Sequence, residues 1–167
     1  GVYGPEAYLY ENVNALPRAV MVSDYVLAAD ATAALETMIA PDFDPERQVM
    51  LLAGGDRELS PPNGPTDPAG FVARAEVTRY EPLHVVIETD SDQPGFLVLS
   101  DLYYPGWEAT VDGEPIHIYE ANACVRAVPL DQGTHTVEFR YKPKPLLYGA
   151  AISLASTLVL LVVWRKV

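Results

Sequence analysis

Gly95-Phe96-Leu97-Val98-Leu99-Ser100-Asp101-Leu102-Tyr103-Tyr104-Pro105-Gly106-Trp107-Glu108-Ala109-Thr110-Val111-Asp112-Gly113 is the stretch that decides the fold. An apolar run of strand length opens it, Pro105-Gly106 breaks it, and an alternating strand follows that ends in an Asp-Gly turn. Asp-Gly supplies the positive φ values that a two-residue hairpin demands. The break leaves Tyr103, Tyr104 and Trp107 at the end of a strand, where side chains lean out over the rim of a sheet. A ligand of the folded part is expected there.

The same pattern extends outward from this stretch. Ala73, Ala75 and Val77 alternate with Arg74, Glu76 and Thr78, and Leu83, Val85 and Ile87 alternate with His84, Val86 and Glu88. Ser91 to Gly95 reads as a turn, Pro115 to Tyr119 as a short strand and Ala123 to Leu130 as another. Asp131-Gln132-Gly133 turns the chain into a last strand with Val137, Phe139 and Tyr141 facing inward. About seven strands without a helical pattern between them predict an antiparallel β-sandwich over 71–143, immunoglobulin-like or jelly-roll.

Upstream, a connecting segment with a short strand around Tyr8 to Tyr10 leads into a strand over Arg18 to Ala29. Asp30 is placed to cap an Ala-rich helix that Pro41 ends, and Gln48 to Ala53 reads as the next strand. Residues 1–53 thus form a small strand-helix-strand segment. Residues 54–70, GGDRELSPPNGPTDPAG, are too poor in apolar side chains to offset their ordering entropy and read as a linker or exposed loop.

Downstream, Leu146 to Trp164 carries no charge. Its roughly 19 residues span about 28 Å as a helix, against the ~30 Å of a bilayer's hydrocarbon core. Tyr148 and Trp164 sit near its ends, at the level where amphipathic rings prefer headgroups. Residues 146–164 are therefore expected to be one transmembrane helix, with the lipid bilayer as partner. Pro143 and Pro145 leave almost no slack between sandwich and membrane. Arg165 and Lys166 on one side and Arg140, Lys142 and Lys144 on the other leave orientation open on charge alone.

Composition narrows the function. A net charge of −12 excludes nucleic acid as a partner, because a phosphate backbone is repelled. Cys124 is the only cysteine, which rules out an internal disulfide and a thiolate metal cage. His84, His117 and His135 are far apart with no second ligand at a helical or hairpin offset, so no metal and no cofactor is expected. No Ser-His-Asp order, phosphate-cradling glycine loop or paired-carboxylate spacing stands out, and the segment reads as non-catalytic. Gly1 in place of Met, with no leader, gives the expectation of a piece of a longer chain.

The candidate contact residues are Tyr103, Tyr104, Trp107, Asp101, Asn122 and Arg126. The aromatics offer flat faces for sugar rings, weighed against packing at the open end of the sandwich, which is what most aromatics do. Asp101 and Arg126 fall on different strands and suit a structural ion pair better than a binding role. Asn122 with Glu120 makes a polar edge for a hydroxyl-rich ligand, or simply finishes a turn.

The runs FLVLSDLYYPGWEATVDGEPI, YEANACVRAV and DQGTHTVEFRYKP, followed by the terminal apolar segment, resemble the C-terminal region of the bacterial YfhO family. YENVNALPRA near the start is similar to the segment ahead of that region, with Val13 and Cys124 as small departures. The resemblance covers nearly the whole chain. It implies the tail of a polytopic membrane protein similar to C-superfamily glycosyltransferases, which use lipid-linked sugars on cell-envelope glycopolymers. It also implies an extracytoplasmic sandwich, a cytoplasmic C-terminus and catalytic acids in outer loops that this chain does not contain. The function expected is an accessory domain that positions the acceptor or braces the remaining membrane domain. The alternative is a non-catalytic, membrane-anchored adhesion or assembly module.

Overall fold

The computed structural model describes residues 10–52, 62 and 67–165, with the side chains at 144, 147, 151, 159, 160, 162 and 163 outside that description. In chain order the elements are β1 (Ala19–Val22), β2 (Asp24–Ala28), α1 (Ala31–Met38), β3 (Gln48–Leu52), β4 (Ala73–Glu81), β5 (His84–Ser91), β6 (Gly95–Leu102), β7 (Trp107–Val111), β8 (Glu114–Ile116), β9 (Tyr119–Ala121), β10 (Val125–Leu130), β11 (Gly133–Tyr141) and α2 (Lys144–Trp164). The expected strand at Tyr8 to Tyr10 and most of the 54–70 segment lie outside the described residues.

Two sheets face one another. One has the order β1-β6-β10-β9-β3-β2 and the other β4-β5-β11-β7-β8. Every pairing is antiparallel except β2 with β3. The core between them is built from alternate residues of both, among them Met21, Ile87, Leu97, Leu99, Val128 and Phe139. The last two strands, β10 and β11, lie in opposite sheets. In an immunoglobulin domain they share one.

β6 explains why its sequence is apolar without alternation. Leu97 and Leu99 enter the core between the sheets, while Phe96 and Val98 enter a second core on the other face. A strand buried on both faces has no polar side to show. That second core exists because the six-stranded sheet rolls up. β1 and β2 are separated only by Ser23, yet they occupy its two ends in the pairing order. The expected single strand over Arg18 to Ala29 is therefore two strands bent at Ser23. Tyr25 packs edge-on against Phe96 inside the roll, with ring centres 5.4 Å apart.

The strand-helix-strand segment completes this sheet, since β1 pairs along β6 and β3 meets β9. Asp30 caps α1 by accepting from the Ala33 N–H at 2.9 Å, as the sequence predicts. Ala34 of α1 packs on Ala28 and Met50. At the β7–β8 hairpin Asp112 and Gly113 hold φ values of 51° and 88°, the expected two-residue turn. The segment read as one strand from Pro115 to Tyr119 is interrupted at His117, with β8 before it and β9 after.

α2 extends for 21 residues where a transmembrane span was expected. Among the described residues no helix is long and apolar enough to cross a membrane. Its described apolar side chains, including Leu146, Ile152, Leu158 and Leu161, are exposed. Ser156 and Thr157 turn their hydroxyls back onto the carbonyls of Ile152 and Ser153, each at 2.9 Å.

Candidate functional site: the aromatic rim

Residues 103–106 carry the chain from β6 in one sheet to β7 in the other, over the end of the sandwich. The crossing is pinned on both sides. The Tyr103 N–H donates to the Cys124 carbonyl at 2.7 Å, and the Lys142 N–H donates to the Gly106 carbonyl at 2.6 Å. Gly106 sits at φ 107°, and a Cβ there would lie 2.9 Å from the Tyr141 ring. Only glycine combines that backbone with that approach.

The register places Tyr141 opposite Trp107. Their rings lie 5.4 Å apart, and the Tyr104 ring lies 6.0 Å from Tyr141, tilted by 38°. Partial desolvation, and then the neighbouring Tyr104 hydroxyl, raise the Tyr141 phenol above its usual 10.0. Tyr103, Tyr104 and Trp107 line a cleft of about 600 Å³ together with Ile116, His117 and Arg140. This is the size of an ordinary small-ligand site. A second hollow of about 460 Å³ shares Tyr104 and Trp107 and is closed by Tyr141, Pro143 and Pro145, so it lies against the first turn of α2. Two ion pairs stand by the cleft, Lys142 with Glu108 at 2.9 Å and Arg140 with Glu138 at 2.9 Å. The Arg140 bond is the main reason the Glu138 carboxyl is held below its usual 4.5.

Under the rim lies a charge network centred on the covered pair Asp101 and Arg126. Asp101 accepts from Arg126 at 2.9 Å and from Arg18 at 2.8 Å, and the Tyr80 hydroxyl donates to it at 3.2 Å. Arg126 is only 2% exposed. Burial draws its guanidinium pKa below the ordinary arginine range, while coulombic interactions with Asp101 and Tyr80 oppose the shift. Its Nε and Nη1 have no hydrogen-bond partner among the described residues. The aromatic faces of Trp107 and Phe139, 4.0 Å and 5.3 Å away, stand in their place.

The structure thus gathers five of the six candidate residues at one end of the sandwich, with Tyr103, Tyr104 and Trp107 in the cleft and Asp101 and Arg126 paired beneath it. Asn122 does something else. At φ 46° in the β9–β10 turn, its side-chain oxygen accepts from the Met50 N–H at 2.9 Å and its own N–H donates to the Met50 carbonyl at 2.8 Å. It ties the hairpin to β3. Tyr141, Arg18 and Tyr80 are the residues of this end that sequence reading did not single out. The Val137, Phe139, Tyr141 alternation ending at Lys142-Pro143 was the available signal for Tyr141.

Among the described residues no group of three or more His, Cys, Asp or Glu side chains could hold a metal ion. Residues 72–153, from the start of the antiparallel sandwich into α2, match the family model described as bacterial membrane protein YfhO. No curated protein and no solved structure matches the chain.

Proposed function

Because residues 72–153 are a YfhO-family region, which supports membrane association, we propose that this chain is the extracytoplasmic accessory sandwich and terminal membrane anchor of a polytopic, YfhO-like glycosyltransferase. It presents a cell-envelope glycopolymer acceptor to the rest of the enzyme or braces the membrane domain. The aromatic rim is the glycan-contacting surface. The observation that carries this reading is Tyr104: the residue is 58% exposed, its ring lies 6.0 Å from that of Tyr141, and it lines a cleft of about 600 Å³. α2 supplies the lipid contact. Its described apolar residues Leu146, Tyr148, Ile152, Leu154, Leu158 and Leu161 are exposed, and Ser156 and Thr157 return their hydroxyls to carbonyls of the helix itself. With α2 inserted and its C-terminus inward, the sandwich stands outside the cytoplasm.

The test uses the full chain in lipid nanodiscs, titrated with lipoteichoic acid and with neutral cell-wall oligosaccharides. Tyr104→Ala should weaken glycan binding by about fivefold, equivalent to the ~1 kcal/mol of one aromatic face, with an unchanged melting temperature. Absence of glycan binding, or binding indifferent to Tyr104→Ala, overturns the acceptor role. Tight capture of a protein partner without glycan binding favours the assembly-module reading instead. Cys124, the only thiol and an exposed one, reports topology. An impermeant maleimide should label it in intact cells, and labelling only after lysis rejects the outward orientation.

A further inference from the structure

The end of the sandwich that carries the cleft also carries exposed apolar side chains that no binding role for the cleft requires. Tyr80 is 54% exposed, Leu83 59% and Leu102 71%. They share one end. The Leu83 carbonyl accepts from the Tyr141 N–H at 3.0 Å, the Tyr80 hydroxyl reaches Asp101, and Leu102 follows Asp101 at the end of β6. At the opposite end the turn residues are Asp92, Asp112 and Asp131, with Val72 the large apolar exposed there.

α2 leaves from the apolar end. β11 stops at Tyr141 and α2 begins at Lys144, so the connection measures at most about 10 Å even when fully extended. Whatever α2 enters, this end of the sandwich cannot stand away from it. A net charge of −12 opposes approach to an anionic surface, but along β11 the Asp92 and Asp131 turns sit about 26 Å off and Asp112, beside Thr136, about 17 Å off. These distances are about two to three Debye lengths at physiological salt, so their repulsion is screened. At the near end Arg18 and Lys142 balance Asp101 and Glu108.

We infer that Tyr80, Leu83 and Leu102 bed into the headgroup layer of the bilayer, so that the sandwich rests on the membrane by its own rim as well as by α2. This rests on the anchoring reading of α2. Amphipathic and aliphatic side chains on a rigid rim gain by leaving water at that depth, as interfacial anchors do. The cleft then opens at the membrane surface, and the acceptor it meets is one held at that surface.

Site-directed spin labels on the full chain test this, on a Cys124→Ser background in phosphatidylcholine–phosphatidylglycerol vesicles. Labels are placed at Leu83→Cys and Leu102→Cys, with Leu161→Cys in α2 and Val72→Cys at the far end as references. Labels at 83 and 102 should collide more with dissolved oxygen and less with an aqueous nickel chelate once vesicles are present, while the label at 72 stays aqueous. If 161 enters lipid but 83 and 102 remain aqueous, the rim contact is overturned and the anchor stands. If 161 stays aqueous, both fail. All four positions are exposed, and melting curves of the labelled variants check that the fold is kept.

Discussion

The guanidinium of Arg126 lies 4.0 Å above the Trp107 ring, and the carboxylate that holds it there, Asp101, is shared with Arg18 and Tyr80. The arrangement is asymmetric. Asp101 has partners to spare, whereas among the described residues Arg126 has one ionic partner and its Nε and Nη1 have none.

Unequal consequences follow for the two halves of the pair. Arg126→Met leaves Asp101 with Arg18 and Tyr80, removes the unpartnered donors and keeps an aliphatic body under Trp107, so stability should change by no more than about 1 kcal/mol. Asp101→Leu strands a buried cation and should cost about 3 kcal/mol, the lower part of the range for a broken buried pair. Chemical denaturation of both variants measures the difference. Equal losses would contradict the asymmetry.

The same pair shows what was legible in the sequence. Local features were readable: the cap at Asp30, the Asp112-Gly113 turn, and the strand that ends before Pro105. Asp101 and Arg126, 25 residues apart, suggested a pair because each lies on a clear strand. Arg18, 83 residues from Asp101, did not, because nothing local says that the chain bends at Ser23 and sends β1 and β2 to opposite ends of one sheet. Tyr141 was readable as inward-facing, but its place beside Trp107 depends on the β7–β11 register, which side-chain periodicity alone does not set. α2 was legible as a helix, while its relation to a bilayer is a property of its solvent.

Asn122 separates a structural role from a ligand role. Both Asn122→Gly and Asn122→Ala lose the side-chain bond to the Met50 N–H, worth about 1 kcal/mol. Alanine also has to adopt φ 46°, at roughly a further 1 kcal/mol, which glycine does not. Asn122→Ala should therefore be the less stable variant by denaturation midpoint, and neither should alter glycan affinity. A glycan-binding loss at unchanged stability would return Asn122 to the site.

Acid should loosen the hairpin end before the rim. Asp112 accepts from the Thr136 N–H at 2.8 Å and lies 2.7 Å from His135 Nδ1, and these bonds, His135 first, hold its carboxyl below the usual 3.8. A carboxyl depressed in the folded state stabilises above its unfolded value, and that contribution disappears as pH falls through the folded value. The urea midpoint of the wild type should therefore drop below about pH 4 more steeply than that of Asp112→Asn. Parallel acid limbs for the two would show that Asp112 is not a source of the acid sensitivity.

Two glycines with positive φ test whether the rim is built by close approach or only by backbone shape. A Cβ at Gly113 meets nothing within 4 Å, so Gly113→Ala carries backbone strain alone, about 1–2 kcal/mol. At Gly106 the same strain is joined by a contact of 2.9 Å with the Tyr141 ring, which also contacts the rings of Trp107 and Tyr104. Gly106→Ala should therefore be the costlier change and should also displace Tyr141, reducing the near-UV circular dichroism of the aromatic group while Gly113→Ala leaves it intact. Equal stability loss with an unchanged aromatic spectrum in both would mean that the Tyr104–Tyr141–Trp107 stack does not depend on the absence of a side chain at Gly106.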